Sequence, residues 1–161
     1  MLRLGKLEQE VHALKLAPSL QNEHAGSEGA ETAELEVAVY MGRIQLFMNK
    51  LWSSGNAGNL ELAQFYRHEL EESMEDLVNA GVVDDGVPVS EHMSEYGLKT
   101  MTSLDKKWKA EGLADFAADH AMLVNTCNTC HQRCGYGFIK IRSPSSSRFD
   151  DQDFTAAHKG R

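Results

Sequence analysis

The stretch Phe116-Ala117-Ala118-Asp119-His120-Ala121-Met122-Leu123-Val124-Asn125-Thr126-Cys127-Asn128-Thr129-Cys130-His131-Gln132-Arg133-Cys134 decides how this chain is read. Leu113, Phe116, Ala117, His120, Val124, Cys127, His131 and Cys134 recur mostly at three- and four-residue steps, the spacing of one face of an α-helix. Gly112 lies ahead of the run and Gly135-Tyr136-Gly137 closes it, as glycine does beyond a helix C-terminus. The stretch predicts a helix whose last turns hold all 3 cysteines of the chain.

Upstream, three more helices are expected. The nearest, about Glu91 to Ala110, has a thin apolar face of Met93, Gly97, Thr100, Leu104 and Trp108, with Ser90 as its cap and a kink or break expected at the internal glycine. Before it, Gly81 to Val89 reads as a loop because of Asp84-Asp85-Gly86 and Pro88. The next helix starts at an Asn59 cap and stops at Gly81, burying Leu62, Phe65, Tyr66, Leu70, Met74 and Leu77 while His68 faces water. The first long helix is expected from a Thr32 cap to about Ser53. Its inward face is Val37, Met41, Ile44, Met48 and Leu51, widened by Tyr40 and Phe47. With 3 prolines and abundant Ala, Leu, Glu, Met and Lys, the fold class is all-α.

The ends differ from this body. In residues 1–16, Leu4, Leu7, Val11 and Leu14 form a short heptad seam, able to pair with a second copy or lie on the domain. Residues 17–30 read as a linker, 31–137 as the main domain, and 138–161 as an irregular tail, with Phe138, Ile139 and Ile141 packing back on the body. A net charge of −8 without a Lys/Arg stripe argues against a nucleic-acid partner. No apolar run is long enough to span a bilayer, and the first residues are too charged for a signal peptide.

Cys127-Asn128-Thr129-Cys130-His131 matches the C-x-x-C-H pattern of c-type haem attachment. Two thiols three residues apart lie on one helical turn, so each can bond a different vinyl group of one porphyrin while His131 is carried under the ring to the iron. A Cys3His zinc site from Cys127, Cys130, His131 and Cys134 is the remote alternative. All four lie within about two turns of one helix, whereas closed structural zinc sites usually draw on separate segments of chain. A thioredoxin-like dithiol belongs beside a βαβ pattern, and no strands are evident.

A C-x-x-C-H near the end of the last of four helices resembles the cytochrome c-prime superfamily, including its low-spin, six-coordinate relatives, over roughly Glu31 to Gly137. The resemblance implies an antiparallel four-helix bundle with one covalent haem c and a periplasmic home, a leader or anchor having been removed from the precursor. It also implies a homodimer built from the first two helices. Cys134 and Gly135 stand where many members carry an aromatic and then a basic residue, and Cys134 is expected to be a buried spare thiol.

The second axial position decides the function. His120 shares the helix of His131 and cannot reach the opposite face of the iron. The resembled family draws its distal residue from the first helix, and its low-spin relatives keep a methionine near that helix's start, which makes Met41 the candidate. A methionine on an apolar stripe is also ordinary core packing. With Met41 bound, the protein is expected to be an electron carrier with an unidentified redox partner protein. With Met41, Ile44, Phe47 and Met48 only packed, it is a five-coordinate protein binding nitric oxide or carbon monoxide. The stripe offers neither His nor carboxylate for acid–base work, so no enzymatic activity is expected.

Overall fold

The computed structural model describes residues 25–156, with side chains from residue 37 on. The heptads at 1–16, the linker up to residue 24 and the tail beyond 156 lie outside the described residues. The chain divides at Thr32/Ala33 into two units, and the core, the cavity and the tail all belong to the one beginning at Ala33.

The described residues are mostly helical, with no strand among them: α1 (Ala25–Asn56), α2 (Leu60–Asn79), α3 (Val89–His92), a π-helical turn (Met93–Leu98), α4 (Lys99–Glu111) and α5 (Phe116–Arg133). Helix α1 starts at Ala25, inside the stretch read as a linker, and Thr32 lies within it rather than capping it. No described helix is long and apolar enough to cross a membrane.

Helix α2 is capped as expected: Asn59 Oδ1 accepts from the Leu62 amide at 3.1 Å, and Gly81 takes φ +63° just past the end. Its buried face is Ala63, Tyr66, Arg67, Leu70, Ser73, Met74 and Leu77. It keeps Tyr66, Leu70, Met74 and Leu77 of the predicted face, leaves Leu62 partly buried, and extends to one side through Ala63, Arg67 and Ser73. Phe65 is 52% exposed, and Arg67 goes inside, where its guanidinium meets Glu71 at 2.8 Å and Asp105 of α4 at 3.2 Å. His68 faces water, beside Glu72.

The loop after α2 closes in a tight turn. Asp84 and Val87 exchange two backbone hydrogen bonds across Asp85 (φ +46°) and Gly86 (φ +79°), the two left-handed positions of a type I′ turn. Ser90 does not cap the next helix, which starts at Val89 after Pro88. Its hydroxyl donates instead to the Leu77 carbonyl at 2.9 Å, satisfying a buried acceptor at the end of α2.

The break expected near Gly97 is a π-helical turn, entered and left through residues in ordinary helical conformation, so α3 and α4 form one rod widened in its middle. The turn packs against both α2 and α5. Glycine is required there, because a Cβ at Gly97 would stand 2.6 Å from Met93 Sδ and 2.9 Å from Met74 Sδ. At the far end of α1, a Cβ at Gly55 would fall 2.1 Å from the Phe116 ring, so α1 and α5 meet there backbone to ring. Leu51, Leu70, Met74, Leu77, Met101, Leu104 and Leu123 are the most deeply buried large side chains of the core.

Residues 138–156 form neither helix nor strand, yet they are pinned along the body. Asn128 on α5 holds Ile141 from both sides, its Nδ2 donating to the carbonyl at 2.9 Å and its Oδ1 accepting from the amide at 2.7 Å. Farther along, Ser53 donates to Ser147 at 3.2 Å, Lys50 to Gln152 at 3.0 Å, and Asn59 to the Thr155 carbonyl at 2.9 Å. Of the residues expected to pack back, Ile141 does so in part, whereas Phe138 is 77% exposed and Ile139 44% exposed. Phe154 is buried in their stead, its ring tilted against those of Tyr66 and Phe149.

Candidate functional site

Between α1, the π-helical turn, α5 and the tail lies a cavity of about 730 Å3. Each wall follows from local structure. The face of α1 that recurs at three and four residues contributes Met41, Ile44 and Met48; α2 adds Met74, the π turn Met93 and Gly97, and α5 adds Leu123. Unbranched methionines surround the space with polarizable, adaptable side chains. The third helix was the weakest in sequence, and its cavity residues both fall within the π turn, a feature often found at functional sites.

The last two turns of α5 bring Cys127, Cys130 and His131 to this cavity, opposite Met41 in the chain but on the same lining. The four predicted site residues are thus gathered at one place. His131 Nδ1 lies 3.0 Å from the Ile139 carbonyl. A carbonyl can only accept, so in the neutral ring Nδ1 carries the proton and Nε2 keeps its lone pair, the tautomer in which an imidazole binds a metal through Nε2. Such a second hydrogen bond fixes both the tautomer and the ring orientation of a ligating histidine.

Burial pushes the Cys127 thiol up to about 11 and the Cys130 thiol up to about 12, Cys130 also feeling its neighbours Cys134 and Cys127. Both are therefore neutral thiols at physiological pH. A thioredoxin-like dithiol works through a thiolate in an electropositive setting, which is the opposite arrangement. Cys134 is a buried free thiol in contact with Cys130. Among the described residues, no three His, Cys, Asp or Glu side chains converge to hold a metal ion, so the Cys3His alternative lacks its geometry.

His120, one face round from His131, is buried at 3% exposure and does not line the cavity. Desolvation lowers its pKa to about 4, so it is neutral. Its Nδ1 is 2.9 Å from the Ser143 hydroxyl, its ring lies near Phe116, and Nε2 has no partner among the described residues. Nearby, Asp119 accepts from Trp108 Nε1 at 2.7 Å and from Lys107 Nζ at 2.5 Å, which ties α4 to α5. Arg43, on the border of the α1 stripe, turns to α2 and meets Ser73 and Asp76 at 2.9 and 2.7 Å.

Sequence reasoning missed the outer wall. Ile139 to Ser146, with Arg148, line the cavity from the tail, and Lys140, Arg142 and Arg148 bring cations to it. The signal was present as three basic residues within nine, but in a serine-rich stretch that reads as loose tail. No known protein family, curated protein or solved structure matches the chain.

Proposed function

We propose that this chain is a mono-haem c-type cytochrome acting as an electron carrier, with haem c bonded through Cys127 and Cys130 and the iron held by His131 Nε2 and Met41 Sδ. The observation that carries the reading is the convergence of these four residues on one cavity while His131 Nδ1 is committed to the Ile139 carbonyl. The cavity's volume, about 730 Å3, lies within the roughly 300–1,000 Å3 typical of cofactor sites. Its donors also suit the group: two neutral thiols, one imidazole with a free lone pair and a thioether.

Cys127 and Cys130 would each add a thiol across one vinyl double bond, sulfur to the inner carbon and hydrogen to the terminal one, with no leaving group. Once bound, haem supplies a one-electron Fe(III)/Fe(II) couple. His131 would give that iron a neutral ligand of fixed orientation. Met41 would give it a soft sulfur, and Met48, Met74 and Met93 would keep water away, which would favour the reduced state. Held by His131 and Met41 together, the iron would have little to rearrange on changing charge.

The antiparallel four-helix bundle belongs to the same proposal. It is supported by the three-residue connection between α1 and α2 and by pairings that run in opposite directions: Phe47 with Tyr66 but Arg43 with Asp76, and Trp108 with Asp119 but Thr100 with Thr126. Thioether attachment goes with an exported, periplasmic protein, and the family resemblance with a homodimer. No enzymatic role is proposed.

The test is an optical spectrum of the matured holoprotein, oxidised and reduced, with and without carbon monoxide, together with a pyridine haemochrome assay. Sharp reduced bands unmoved by the gas, becoming high-spin and gas-sensitive in Met41→Ala, are expected. Broad bands that shift with carbon monoxide in the unaltered protein replace this reading with a five-coordinate gas-binding protein. Absence of thioether-linked haem from properly matured protein overturns both.

A further inference from the structure

The cavity is apolar over most of its helical walls and cationic along the tail. Lys140, Arg142 and Arg148 all line it, and none forms an ion pair with a described carboxylate. Most other cations at the helix contacts are neutralised: Arg43 by Asp76, Arg67 by Glu71 and Asp105, Lys107 by Asp115 and Asp119, Lys109 by Asp105. In a chain with 16 basic and 24 acidic residues, chance favours carboxylates on any cavity wall. This one has no carboxylate among its described lining residues.

The cationic wall is also held in place. Ile141, between Lys140 and Arg142, is fixed at both backbone polar atoms by Asn128. Ile139, just before Lys140, gives its carbonyl to His131, and Ser143, just after Arg142, meets the buried His120 ring. Three consecutive odd-numbered positions of the strap are thus bonded to α5, and this alternation leaves the residues between them, Lys140 and Arg142, free for another partner. Serving as solubilising charge would need none of these bonds.

We propose that Lys140, Arg142 and Arg148 form an anion subsite of the cavity, binding the ionised carboxylates on the rim of its occupant, with the strap positioned by Asn128, His120 and His131. This rests on the haem reading above, in which those carboxylates are the porphyrin's two propionates. The cations serve two ends. They hold the propionates ionised, since an adjacent positive charge favours the charged form of a carboxyl group. They also add positive charge near the iron, which disfavours the oxidised state relative to the reduced one.

The experiment is a potentiometric titration of the holoprotein across pH 5 to 9, comparing the unaltered chain with a K140Q/R142Q/R148Q variant, a K99Q/K106Q control and the conservative Arg142→Lys. The triple variant is expected to keep its covalently bound haem and helical circular dichroism while its midpoint potential falls and the pH inflection of that potential moves up toward neutrality. The control, which removes exposed cations away from the cavity, and Arg142→Lys, which keeps the charge, should both follow the unaltered profile. A triple variant with haem attached and an unchanged profile, or a control that moves as far, overturns the subsite. Absence of attached haem from the unaltered protein overturns the haem reading instead, so the two failures are distinguishable.

Discussion

Helices α1 and α5 face each other in two places in this molecule, and the two places are unlike. Near the end of α1 and the start of α5, Gly55 gives up its side chain so that the Phe116 ring can lie on the backbone, and Trp108 closes the contact with its ring near Phe116 and its Nε1 on Asp119. Farther back along α1 and forward along α5, the same two helices enclose a cavity of about 730 Å3 walled by methionines and by the Cys127–His131 turn. The lesson is a division of labour within one pair of helices. Tight, shape-specific packing at one end supplies rigidity, while adaptable side chains at the other leave room for a large group.

Breaking the closed end should therefore cost the most stability. Trp108 is 2% exposed and makes both a ring contact and a buried hydrogen bond to Asp119. Replacement by Ala should destabilise the fold by about 3–5 kcal/mol, the range for deleting a buried aromatic side chain. Met41→Ala, at the half-buried edge of the cavity, should cost clearly less. Urea titrations of the two variants check the contrast, and equal losses would mean that the cavity walls are as firmly packed as the closed end.

A second effect, next in size, comes from His120. Its pKa is lowered from 6.5 to about 4 by burial, so the folded state stays neutral while the unfolded chain takes up a proton below pH 6.5. Stability is then full above pH 6.5, declines as pH falls toward 4, and levels off below that, where both states are protonated. At about 1.4 kcal/mol per unit of displacement, the loss is on the order of 3 kcal/mol. Thermal melts between pH 7 and 4 should show this slope in the unaltered chain and a flatter one in His120→Gln. The lowered carboxylates Asp105 and Asp153 are held down by Lys109 and by Thr155 respectively. They act at still lower pH and should leave that window unchanged.

How much of this contrast the sequence revealed depends on the range of the interactions. Helix α5, the Asn59 cap and the inward stripe of α1 were legible because each depends on residues three or four positions apart. The start of α1 was missed because Gly26 and Gly29 imitate a linker, and the predicted α2 face held at Tyr66, Leu70, Met74 and Leu77 but left out Arg67, which is buried by partners on two helices. Phe154 was missed for a similar reason: only the folded tail brings its ring to Tyr66 and Phe149. The C-x-x-C-H pattern pointed to its own histidine, but nothing local announces that Ile139, eight residues on, will fix that histidine's tautomer. The cationic wall was invisible as a wall, because it is made by side-chain bonds to backbone that carry no periodicity.

Those bonds offer the finest test of the comparison, since they belong to the open end alone. Asn128 satisfies both the amide and the carbonyl of Ile141, so Asn128→Ala removes two hydrogen bonds and leaves two partly buried backbone groups to find water. Because the tail can lift to reach solvent, the global cost should be small, about 1–2 kcal/mol, and confined to the strap. Hydrogen exchange and limited proteolysis should show faster exchange and cleavage between Lys140 and Arg148 in the variant, with Leu51, Leu104 and Trp108 as protected as before. Protection lost equally at both ends would show that the strap is not an independent wall of the cavity but part of the structure that holds α1 against α5.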